Sequence, residues 1–132
     1  MDAQEYSSLA KKHLNEGNFD GAITALTEAI RLEPDFPFHY AKRGMAHRSR
    51  GELDLAIADI SEAIRLEPNR FGSFYFERGL TYILKGDNPL AIADTEMAVK
   101  LEPQNKDYRE ALEEFKSNGI SSTANSEHGG TK

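Results

Sequence analysis

The chain has 132 residues, a net charge of −6 and no cysteine. That is the length of one domain; it excludes disulfides and thiolate metal sites, and the acidic balance argues against general binding to a phosphate backbone. The 39% apolar content suits a folded globular chain, and no stretch reaches the roughly 18 apolar residues that a membrane span needs. The N-terminal Met-Asp-Ala-Gln-Glu is polar and acidic, without the basic start and apolar core of a secretory signal, so a cytoplasmic protein is expected.

The tripeptide Leu-Glu-Pro ends at Pro34, Pro68 and Pro103, in steps of 34 and 35 residues. A period near 34 marks an array of helix-turn-helix units. The units run over 3–36, 37–70 and 72–105, with Phe71 the one extra residue between the second and third. In unit one, Asn18-Phe19-Asp20 predicts the start of a second helix: Asn18 caps it and Asp20 lies favourably in its first turn. Gly17, Gly51 and Gly86 share one place, where a tight turn requires positive φ. Ala22, Ala56 and Ala91 share another, as do Ala29, Ala63 and Ala98, where small side chains let two helices approach. In unit three, Tyr75, Gly79 and Tyr82 form an i, i+4, i+7 stripe. Asn88-Pro89 predicts the next helix start, with Asn88 as cap and Pro89 in the first helical position. The closing prolines end each second helix. After Pro103, Tyr108, Ala111, Leu112 and Phe115 line one side of a further amphipathic helix over 106–118. Glu110, Glu113, Glu114 and Lys116 line the other, which suits a cap on the last repeat. The segment 119–132, mostly Gly, Ser, Thr and small polar residues, predicts a flexible tail.

These residues resemble the tetratricopeptide repeat family, whose pattern is an aromatic, Leu-Gly and Tyr in a first helix, Gly at the turn, two Ala and a bulky residue in a second, and a final Pro. Unit two reads Tyr40, Arg43-Gly44, His47, Gly51, Ala56, Ile60, Ala63, Pro68. Unit three reads Tyr75, Arg78-Gly79, Tyr82, Gly86, Ala91, Thr95, Ala98, Pro103. Unit one reads Tyr6, Leu9-Ala10, His13, Gly17, Ala22, Leu26, Ala29, Pro34. The resemblance covers residues 3 to about 117. It implies an all-α fold, a right-handed α-solenoid of three antiparallel helix pairs with a capping helix, acting as a protein-binding scaffold without catalysis or cofactor.

Comparing the units isolates one exchange. Arg43 and Arg78 stand where the pattern has Leu, and in the same two units Asp59 and Asp94 share one place. Unit one has Leu9 and Ala25 instead. Ion pairs Arg43–Asp59 and Arg78–Asp94 are expected between the helices of a repeat; the alternative is four solvated charges.

The resemblance further implies that the first helices line a concave groove. The face beside the packing stripe carries Gln4, Ser7, Lys11, Leu14 and Asn15, then Phe38, Ala41, Met45, Arg48 and Ser49, then Phe76, Leu80, Ile83 and Leu84. It turns from polar to apolar along the chain. Phe38, Ala41, Met45, Phe76, Leu80, Ile83 and Leu84 are therefore the candidate anchors for a partner's side chains. Lys11, Arg48 and Arg70 are candidate cationic contacts at the margin. For Ile83 and Leu84 the alternative is burial under the capping helix, and for each cation a solvated charge. The expected partner is another protein or peptide, with no nucleic acid and no membrane. Self-association through the same stripe or the capping helix is the rival reading, making a homo-oligomer.

Some family members grip the acidic C-terminal carboxylate of heat-shock chaperones with Lys and Asn in the first repeat, Asn in the second, Lys and Arg in the third. The matching places here are Ser7, Lys11, Lys42, Ser73 and Glu77. The pattern fails at nearly all of them, so that partner is not expected. His13 and His47 occupy the family's Tyr place and read as packing residues, His39 as a helix-surface residue, and His128 falls in the tail. None has the HExxH spacing of a zinc site, and no phosphate loop or nucleophile elbow is present.

Overall fold

The computed structural model describes residues 1–131 along the backbone and 1–118 with their side chains. The expected tail over 119–132 lies outside the residues with described side chains. Among the described residues seven helices follow in order: α1 Ala3–Asn15, α2 Phe19–Leu32, α3 Pro37–Ser49, α4 Leu53–Leu66, α5 Gly72–Lys85, α6 Asn88–Leu101 and α7 Lys106–Thr131. α1, α3 and α5 each pair with the helix after them, and each even helix packs on the odd helix that follows it. The fold is an all-α solenoid.

Local chemistry sets the boundaries. Asp2 and Glu5 form a reciprocal capping box on α1: Glu5 N donates to Asp2 Oδ1 at 2.8 Å and Asp2 N to Glu5 Oε1 at 3.0 Å, which satisfies two amides that the helix itself leaves unpaired. Asn18 caps α2, accepting from Gly21 N at 3.0 Å. On α6 the expected cap moves by one residue. Asp87 is the N-cap and accepts from Leu90 N at 3.2 Å, while Asn88 is already helical. A carboxylate one residue earlier supplies the same acceptor and a charge that suits the helix N-terminus. Gly17, Gly51 and Gly86 hold φ of 73°, 80° and 88° at the turn inside each pair, a region costly for residues with a Cβ.

Close crossings hold each pair. Ala22, Ala29, Ala56, Ala63, Ala91 and Ala98 are fully buried. A Cβ on Gly44 would stand 2.8 Å from Ile60 Cγ1 and 3.0 Å from the Ala56 carbonyl oxygen. Two apolar clusters result. Ala10, Ala25 and Leu26 pack with Tyr6 and Leu9 in the first pair. A larger cluster joins the second and third pairs to α7 through Ile60, Ile64, Phe74, Tyr75 and Tyr108. Phe71, the residue that breaks the period, caps α5. Its ring lies 4.8 Å from Phe38 and 5.1 Å from Phe74, so the extra residue fills the seam between the second and third pairs.

Candidate functional site

The odd helices form the inner side of the array. α3 also meets α5, whereas no pair among α2, α4 and α6 makes a comparable contact, as on a curve whose inner elements crowd and outer ones splay. On α5, Phe74 and Thr81 are buried, and Arg48 of the preceding repeat reaches Thr81. Gly79 faces α6, and Phe76 stacks on Tyr108 of α7 at 4.7 Å. What remains of the circumference is the strip of Ser73, Glu77, Leu80 and Leu84, which opens to the inner face. One repeat earlier the same strip holds Phe38, Lys42, Met45 and Ser49.

The candidate anchors separate along this strip. Leu84 is 62% exposed and Met45 37% exposed. Leu80 and Ile83 are half-buried. Phe38 is half-buried and spends its ring on Phe71 and Phe74. Ala41 is 5% exposed and presents almost no surface. Phe76 keeps part of its ring accessible against Tyr108.

The three cations differ as well. Lys11 is exposed. Arg70 is exposed, with its guanidinium 5.1 Å from the centre of the Phe71 ring. Arg48 is engaged: Nη2 donates to Glu77 Oε1 at 2.6 Å, and Nη1 to the Glu77 carbonyl at 3.0 Å and Thr81 Oγ1 at 3.3 Å. This pair ties α3 to α5 along the groove floor and neutralises Glu77. Sequence reading treats Arg48 and Glu77 separately, because they occupy different places in successive repeats. Only the superposition of α3 on α5 brings them together.

Both expected Arg–Asp pairs are present, and both are bidentate. Arg43 Nε and Nη2 donate to Asp59 at 2.7 and 2.8 Å. Arg78 does the same to Asp94 at 2.7 and 2.8 Å. Hydrogen bonding to these carboxylates raises both guanidinium pKa values above their ordinary level. The remaining Nη1 of each arginine reaches the preceding repeat, at Thr27 Oγ1 (3.2 Å) and Ser61 Oγ (3.1 Å).

His39 departs from its expected place on a surface. It is 1% exposed, lies 4.5 Å from the Phe36 ring, and pairs through Nε2 with Glu33 Oε1 at 2.7 Å. It occupies the place of Phe74, whose side chain is turned into the preceding repeat. Its Nδ1 has no partner. His47 is mostly buried between Glu52, at 2.9 Å, and Asp59, at 3.7 Å. Among the described residues no group of three or more His, Asp or Glu is arranged to hold a metal, and no helix is long and apolar enough to cross a membrane.

The model of the tetratricopeptide repeat matches twice in overlapping register, over residues 8–71 and 42–106. The chain belongs to the tetratricopeptide repeat family. Among solved structures it is similar to the first such domain of human RPAP3, at 24% identity over 94% of this chain and 96% of that one, with a TM-score of 0.86. It is similar to the TPR2B domain of yeast Sti1 in complex with pHsp70, at 20% identity over 88% and 97%, TM-score 0.82. It is also similar to the Yersinia enterocolitica type III secretion chaperone SycD in complex with a peptide of the translocator YopD, at 20% identity over 88% and 93%, TM-score 0.78. At these identities the likeness concerns the fold. No curated protein matches the chain.

Proposed function

We propose that the protein is a non-catalytic interaction module that binds a peptide or a partner helix along its inner face, with Met45, Leu80 and Leu84 as the principal anchors. The observation that carries this is the apolar row itself: Leu84 stands 62% exposed, and Met45, one repeat earlier, 37% exposed. Burying such side chains against a partner contributes about 25 cal/mol per Å² before the costs of ordering. Phe76 and Ile83 extend the row. Lys11 and Arg70 stand at its margins for polar contacts, while Phe38, Ala41 and Arg48 support the surface from beneath. The solved relatives from yeast and Yersinia, each in complex with a protein or peptide, support a binding role on this fold. A chaperone carboxylate is disfavoured here, because the third-repeat place that would need a cation holds Glu77, already claimed by Arg48.

The test is to isolate partners with the full chain and measure their affinity for a Leu80→Ser/Leu84→Ser variant. Binding is expected to weaken at least tenfold with helicity unchanged. Undiminished affinity would move the site elsewhere.

A further inference from the structure

The outward sides of the even helices can be compared repeat by repeat, at four places spaced three, four and three residues apart. In α2 these hold Gly21, Thr24, Glu28 and Arg31. In α4 they hold Leu55, Ala58, Glu62 and Arg65, and in α6 Leu90, Ala93, Met97 and Lys100. The strip turns from polar to apolar along the chain. In the first two repeats its last two places form an ion pair across one turn, Arg31 Nη2 with Glu28 Oε1 at 3.2 Å and Arg65 Nη2 with Glu62 Oε1 at 2.6 Å. In the third, Met97 stands where the glutamates do, and Lys100 is exposed and pairs with no acid among the described residues.

Exposure along α6 is inverted. Its polar Asp94 and Thr95 are 6% and 0% exposed, whereas Leu90 is 45% exposed and Ala93, one turn on, is open to solvent. Met97 is half-buried against the larger core cluster and completes the row. A helix that is apolar on both sides is characteristically covered on both. α5 and α7 pack on the inward sides of α6; the outward strip awaits a cover.

We propose that the outward strip of α6 docks an amphipathic helix of a partner protein, and that this helix supplies in trans the carboxylate that Glu28 and Glu62 supply to the first two repeats. A helix is the form that fits. An extended segment laid on apolar side chains would leave its backbone amides and carbonyls unpaired, whereas a helix satisfies its own. Charge sets the direction. The partner's acid meets Lys100, in the last turn of α6, and an acid is best placed in the first turn of its own helix, so the partner runs antiparallel to α6. From Lys100 to Leu90 is about 15 Å at the helical rise per residue. The partner thus carries Asp or Glu in its first turn and aliphatic side chains three, seven and ten residues later, opposite Met97, Ala93 and Leu90. The bulkiest of these stands opposite Ala93, whose small side chain leaves the room. The strip lies on the other side of the array from the inner groove, so the two sites can be filled together.

A short helix is marginal alone in water, so the probe is a hydrocarbon-stapled peptide. It has Glu in its first turn, Leu three, seven and ten residues later, and Ala and Gln elsewhere; its control has Lys in place of the Glu. Titrated into the full chain by fluorescence anisotropy, the Glu peptide is expected to bind severalfold tighter than the Lys peptide. Lys100→Glu, a change at an exposed side chain, should reverse that preference. Met97→Glu restores the pair of the other repeats, at a place where Glu28 and Glu62 are already accommodated. It should weaken the Glu peptide at least tenfold with helicity unchanged by circular dichroism. Leu84→Ser in the inner groove should leave both affinities as they were. Equal binding of the two peptides, no binding of either, or a preference that Lys100→Glu does not move would overturn the proposal. So would light scattering that shows the full chain as a dimer dissociated by Leu90→Ser, which would make a second copy the occupant.

Discussion

At the scale of the residue, the Arg43–Asp59 pair shows how a polar contact is tolerated at a helix crossing. Both groups are mostly withdrawn from water, with side-chain exposures of 22% and 12%. The two charge-assisted bonds between them offset that desolvation. Arg43→Leu alone strands Asp59 and is expected to lower stability by about 2–3 kcal/mol, below the value for a fully buried pair because some solvent reaches the site. Arg43→Leu with Asp59→Ala, the combination the first repeat already carries at Leu9 and Ala25, should recover most of that loss. Urea denaturation of the two single variants and the double variant gives the coupling energy; a coupling near zero would make the pair incidental.

That pairing was legible in the sequence because three aligned repeats act as an internal control: Arg appears with Asp and Leu with Ala. Where the control is missing, so is the inference. His39 has no counterpart of its own type in the other repeats. Its burial follows from the place it shares with Phe74, whose own burial the stripe of Tyr75, Gly79 and Tyr82 did not reveal. The capping box of Asp2 and Glu5 carried a local signal, an acid followed three residues later by Glu, although Asp is not the usual Ser or Thr of that motif. The side of α5 that opens to the groove depends on what α3 and α7 already cover, which periodicity alone does not specify.

At the scale of the element, α7 is the piece whose removal changes most. Tyr108 and Phe115 are buried by its packing, and Tyr108 stacks on Phe76. Truncation after Asn105 is expected to remove about 3 kcal/mol or more of apolar burial, which corresponds to a fall in Tm of roughly 10 °C or more for a domain of this size. It also uncovers Phe76, so the truncated protein should self-associate. Differential scanning calorimetry and light scattering read the two effects. A truncated chain that stays monomeric and melts at the original temperature would show that α7 is dispensable. The other elements are more redundant: α2, α4 and α6 each carry two fully buried alanines and are held by both neighbours.

At the scale of the whole molecule, the two junctions between repeats are not alike. The first is joined largely by polar contacts: His39 with Glu33, Arg50 with Asp20, Arg43 with Thr27, and Tyr40 Oη donating to the Pro34 carbonyl at 2.9 Å. The second is filled by the rings of Phe38, Phe71 and Phe74 and belongs to the larger cluster. The first repeat keeps its own small cluster apart. Pulled by its two ends, such a molecule has a weak seam and a strong one. The first yielding event in an optical trap should release the first repeat alone, lengthening the chain by up to about 120 Å at full extension. The remainder should then give way in a single larger step. Phe71, one residue out of period, thus makes the second joint the tougher coupling when the array bears a load.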